Sequence, residues 1–140
     1  MPDVRGVQLL SPFADHDKAA QLIDFSGLGD GRVHPTDIDQ SYDKHGRIFL
    51  FGEFKYDYAP VPRGQEIHLE NLVNAISDGG RICVAYVADH HVRDPHKEVH
   101  AKDCIIRSIY TGKNRRWRMS KSGKYTVADL FEAVMAGRIN

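Results

Sequence analysis

Leu69, Leu72, Val73 and Ile76 recur at i, i+3, i+4 and i+7, so they line one face of an α-helix. Gly79 and Gly80 follow directly, where a C-terminal cap belongs. The next run, RICVAYVA at 81–88, is unbroken and apolar, the pattern of a strand covered on both faces. Before the helix, residues 33–42 and RIFLFGEFKY at 47–56 flank the turn DKHG at 43–46. Aromatic and branched residues on either side of a glycine-containing turn predict a β-hairpin. The stretch 57–64, with two prolines, predicts a loop.

Weaker periodicities complete the reading. A short helix is expected from Asp15 or Asp17 to Phe25, with Ala19, Ala20, Leu22 and Ile23 inside, ended by GLGDG at 27–31. Residues 89–100 are polar and predict a loop. A strand is expected near 102–110 and a short one around Trp117. A last helix starts at Thr126, where Thr126 and Asp129 form a capping pair ahead of Val127, Leu130, Phe131 and Val134. A hairpin, a helix and then a buried strand imply a crossover and a mixed sheet. The expectation is one α/β domain over residues 1–140.

Composition narrows the classes. The chain has 140 residues, 41% hydrophobic and 27% charged, enough for a core that needs no staples. No apolar run approaches the roughly 20 residues of a membrane-spanning helix, so no membrane partner is expected. The first residues carry no basic stretch leading into a long apolar one. Cys83 and Cys104 both lie in apolar, strand-like runs. Buried thiols in a cytoplasmic protein are therefore expected. Net charge is zero, so affinity for a polyanion has to come from a local patch.

The candidate chemistry lies on the hairpin. Side chains alternate along a strand, so Asp37 and Asp39 share one face, and Glu53 and Lys55 share a face of the return arm. Gly46 is seven residues from both Asp39 and Glu53, so pairing about the turn brings those two acids level. Carboxylates that close repel unless a cation lies between them, and a hard, oxygen-preferring ion such as Mg²⁺ suits them. FLFGEFKY is apolar except at Glu53 and Lys55, and charges in a buried strand are costly unless they act together.

PTDID, the thirteen residues between Asp39 and Glu53, and GEFK together resemble the active-site motif of the PD-(D/E)xK nuclease superfamily. The resemblance implies a restriction-endonuclease-like core, a mixed β-sheet flanked by helices in an αβββαβ order. It also implies a Mg²⁺-dependent nuclease, with Mn²⁺ as a substitute, that hydrolyses phosphodiester bonds in DNA. Asp39 falls on the family aspartate, Glu53 on the acidic metal ligand and Lys55 on the catalytic lysine, with the Phe54 carbonyl as a further ligand. Asp37 fits a literal P-x-D reading from Pro35, whereas hairpin spacing favours Asp39. Gln65, the one polar member of the helix stripe, matches a glutamine many members carry near the metal. The helix start would also offer free N–H groups to a phosphate. The family's first-helix glutamate has no counterpart; Asp15, Asp17 and Asp24 are the acids there. That departure motivates an alternative, an inactive nuclease-fold protein that binds nucleic acid or a protein. Such compact nucleases often act as homodimers or beside a protein partner.

Two further segments carry charge. His90, His91, His96 and His100 could form a zinc site, but no cysteine stands at ligand spacing, and a solvated loop is the favoured reading. His34, three residues before Asp37, is read as a loop or strand-edge histidine rather than a ligand. GKNRRWRMSKSGK holds Lys113, Arg115, Arg116, Arg118, Lys121 and Lys124 around Trp117 with no acid. It suits phosphate contact, with Trp117 open either to base stacking or to a place in the core. Without those six cations the chain carries six more acids than bases. Arg63, beside Gln65, is expected to join the phosphate-binding surface.

Overall fold

A computed structural model describes residues 24, 26–30, 32 and 35–140 of the chain. Contacts divide the chain into two compact units, Met1–Asp37 and Ile38–Asn140. Every strand and helix described below belongs to the second. Most of the helix expected from Asp15 or Asp17 to Phe25, and His34, lie outside the described residues; Asp24 is described and is not helical.

The hairpin forms where the turn glycine demands. Strand β1 (Gln40–Lys44) pairs antiparallel with β2 (Ile48–Tyr56). His45 (φ 56°) and Gly46 (φ 69°) are both left-handed, the conformation tight hairpin turns require. The Asp43 carboxylate accepts the Gly46 N–H at 2.7 Å. The first arm is shorter and later than its expected span of 33–42: residues 35–39 are irregular, and Asp43 and Lys44 pair with Phe49 and Ile48 instead of turning. Pro35 lacks the N–H that a ladder needs.

Helix α1 (Arg63–Asp78) carries β2 over to β3 (Ile82–His90), which lies parallel to β2. The helix begins two residues inside the expected loop, and β3 runs two residues past 88 because its register with β2 continues to Tyr56 and His90. After a 3₁₀ turn at Ala101–Asp103, β4 (Ile105–Thr111) and β5 (Trp117–Met119) add antiparallel strands. The five-stranded mixed sheet has the order β1-β2-β3-β4-β5. Helix α2 (Val127–Met135) closes the chain. Thr126 and Asp129 form the expected capping box at its start. The described order is thus ββαβββα, with two strands before the crossover helix and three after it, where αβββαβ has three and one.

The helices take opposite faces of the sheet. Leu69 and Val73 of α1 pack with Phe51, Cys83, Ala85 and Tyr110. Val127, Leu130 and Val134 of α2 pack with Leu50, Val84, Tyr86 and Ile106. β3 is buried from Cys83 to Asp89, as its apolar run predicts. Both cysteines are free and buried, and burial pushes the Cys83 thiol up to about 12. On the α2 face Tyr86 lies flat over Gly52, where a β-carbon would stand 2.3 Å from the ring. Only glycine fits there, which accounts for the G of GEFK on packing grounds. Burial, and to a lesser degree the Cys104 thiol and the Asp39 carboxylate, push the Tyr86 phenol up. No helix among the described residues is long and apolar enough to cross a membrane.

Candidate active site

Odd-numbered residues of β2 face α1, since Phe49 and Phe51 pack with that helix while Leu50 and Phe54 join the α2 side. Glu53 and Lys55 therefore point toward α1 near the C-terminal end of the strand. Glu53 is 5% exposed, and the Lys55 ammonium lies 3.6 Å from its carboxylate.

Asp39 enters from the edge. The β1–β2 ladder ends with Gln40 opposite Gly52, one residue short of Asp39 and Glu53. The chain kinks there. Gln40 turns to the α2 face, where its amide meets the Tyr86 hydroxyl at 2.6 Å, while Ile38 packs on the α1 side. The Asp39 carboxylate stays at the sheet edge and accepts the Phe54 N–H through Oδ2 at 2.8 Å. It thereby replaces the β1 partner that Phe54 no longer has. The N–H and C=O of one strand residue leave on the same side, so the Phe54 carbonyl opens toward that same edge. Oδ1 of Asp39 takes no hydrogen bond from a described residue. Asp37 is exposed and belongs to the Met1–Asp37 unit.

Gln65 lies in the first turn of α1. Leu69, one turn further on, packs beside Phe51. Gln65 lies one helical turn back from Leu69, at the end of α1 that follows the C-terminal end of β2. Its Oε1 is buried and has no hydrogen-bond partner among the described residues. A buried amide oxygen left unpaired costs about 1–3 kcal/mol, which a cation or water would relieve.

The next strand adds two residues that the pattern of the sequence does not single out. In the parallel register Lys55 stands beside Asp89. Asp89 is 2% exposed and takes both oxygens to Arg107, with the Nε contact at 2.9 Å. A bulge in β4 leaves Arg107 unpaired between Ser108, opposite Val87, and Ile106, opposite Ala88. Bulges re-aim a side chain, and here the bulged residue meets Asp89. The Asp89 hydrogen bonds hold the Arg107 guanidinium above its usual pKa. The signal in the sequence was faint: an acid closing an apolar run, and an arginine within CIIRSIY.

No family model, curated protein or solved structure matches the chain.

Arg63, Lys113, Arg115 and Arg116 do not form one surface. Arg63 is at the right end of α1, yet its guanidinium is held by Glu66 at 3.0 Å and Glu70 at 2.7 Å. Lys113 and Arg115 line a cavity with Arg81 and Cys83 at the start of β3. That is the opposite end of the sheet, about 23 Å along β3 from Asp89 at 3.3 Å per residue. Arg115 is also paired with Asp78. Arg116 lines a separate groove with Arg118 and Lys121 beside β5. Trp117 is core rather than a stacking surface: its ring meets Tyr110 at 5.4 Å and its N–H donates to Glu70 at 2.8 Å. His90 and His91 stack on Tyr56 and Tyr58, and no three His, Cys, Asp or Glu stand in metal-holding geometry among the described residues.

Proposed function

We propose that the end of β2 is the centre of a Mg²⁺-dependent nuclease that hydrolyses phosphodiester bonds in DNA on a restriction-endonuclease-like core. The observation that carries this reading is the Asp39 carboxylate bound to the N–H of Phe54, the residue between Glu53 and Lys55, with the Lys55 ammonium 3.6 Å from the Glu53 carboxylate. The donor set fits a hard divalent ion: Asp39 and Glu53 would supply carboxylate oxygens and Phe54 its carbonyl oxygen. Such an ion, with Mn²⁺ as substitute, supplies positive charge that offsets the charge gathering on the phosphate. Lys55 donates to a phosphate oxygen or to the attacking water. Gln65 accepts a hydrogen bond from that water and orients it. The apolar surroundings strengthen each of these contacts.

A second reading has one observation in its favour. Among the described residues no third acid, histidine or cysteine joins Asp39 and Glu53. A protein that kept the fold for binding alone would have that arrangement. Thermal unfolding with increasing Mg²⁺ separates the two. The nuclease reading predicts a saturable rise in Tm, equivalent to about 2.7 kcal/mol at a hundredfold excess over Kd, lost in Asp39→Asn. An unchanged Tm in the wild-type protein favours the binder.

A further inference from the structure

The turn that leaves β2 holds two consecutive left-handed residues that are not glycine, Asp57 (φ 51°) and Tyr58 (φ 63°). For a tyrosine this conformation is an outlier that costs about 1–3 kcal/mol. The surrounding contacts fix it: the Asp57 N–H donates to the His90 carbonyl at 2.9 Å, and the Asp57 carboxylate lies 3.0 Å from His91 Nδ1. The outcome is that Tyr58, 68% exposed, stands at the end of the sheet with its ring 5.0 Å from that of His91. A second ring pair, Tyr56 and His90 at 5.4 Å, lies beside it.

Tyr58 borders a cavity of about 350 Å³ whose other lining residues include Asp89, Arg107, Met119 and Ile105. That volume falls in the range of small-molecule sites, roughly 300–1,000 Å³. The polar part of the lining is oriented. Asp89 occupies the Nε and Nη2 edge of the Arg107 guanidinium, which leaves the Nη1 end without a protein partner among the described residues. A guanidinium held in this way presents parallel donors to a flat group with two acceptors on one edge. Tyr58 and Met119 contribute apolar surface to the lining, and the Tyr58 ring offers a face on which a flat ring can stack. The cavity adjoins the candidate active site, because Asp89 is the register neighbour of Lys55.

We propose that this cavity receives one unpaired nucleobase of a nucleic-acid strand, stacked on Tyr58 and read along its edge by Arg107. Guanine fits best, since its O6 and N7 are the acceptor pair that arginine reads. The inference rests on the nuclease reading and sharpens it: the strand carries an unpaired base next to the bond that Glu53 and Lys55 attend.

Fluorescence anisotropy of labelled oligonucleotides on the full chain, in EDTA, tests this without any cleavage. A guanine-containing single strand is expected to bind about tenfold tighter than an abasic strand or a duplex of equal length. Tyr58→Leu should remove that advantage and Tyr58→Phe should keep it, with melting curves showing that both variants fold. Equal affinity for abasic and base-containing strands, or no change in Tyr58→Leu, would overturn the base pocket and leave the nuclease proposal standing. Competition by inorganic phosphate as strong as that by a guanine nucleotide would overturn it too, marking the site as one for phosphate. Failure of every strand to bind would count against both proposals.

Discussion

Alanine in place of Lys55 is expected to lower Mg²⁺-dependent DNA cleavage by about 10²–10⁴-fold, the range for losing a group that handles a proton at the reacting centre. Lys55 is suited to that part because its side chain is only 20% exposed and its ammonium lies 3.6 Å from the Glu53 carboxylate. In such surroundings one positive charge acts on a phosphate far more strongly than in water. Lys55→Met should show the same loss while keeping most of the apolar stem. Single-turnover cleavage of a labelled strand measures the effect. Melting of each variant separates loss of chemistry from loss of fold, which matters because Glu53 is 5% exposed and the Lys55 ammonium beside it is removed in both. An ordinary ion-pair ladder would instead give variants with altered Tm and unaltered cleavage.

The largest loss of stability is expected at Arg107. Arg107→Ala strands the Asp89 carboxylate, which is 2% exposed and makes both of its ion-pair contacts to that guanidinium. Removing one partner of a buried pair typically costs about 3–5 kcal/mol, because the remaining charge has left water for nothing. Chemical denaturation should show that deficit, and adding Asp89→Asn should recover part of it by discharging the orphan. If Arg107→Ala costs no more than a surface substitution, well under 1 kcal/mol, the pair is solvated and the geometry proposed for the base pocket fails with it.

Local signals carried much of this fold. The glycine turn located the β1–β2 hairpin, the i, i+3, i+4, i+7 stripe located α1, and the Thr126–Asp129 pair located the start of α2. Each depends on residues a few positions apart. The errors and omissions are non-local. Residues 33–42 contain enough branched and aromatic side chains to read as an arm, but among the described residues there the ladder with β2 begins at Gln40 and runs on to Lys44. The meeting of Asp89 with Arg107 depends on a bulge that no spacing announces. The basic segment reads as one patch because its charges are consecutive. The chain turns within it, so that Lys113 and Arg115 line one cavity and Arg116 and Arg118 another. Trp117 is drawn into the core by Tyr110 and Glu70, contacts that lie far off in sequence.

Incubating the purified chain with plasmid, single-stranded and branched DNA, in Mg²⁺, in Mn²⁺ and in EDTA, bears on the proposed centre without intermediaries. The hairpin site predicts cleavage of at least one substrate with either ion, abolished by EDTA and by Asp39→Asn. Intact DNA in every condition, or cleavage that persists in Asp39→Asn, would contradict it.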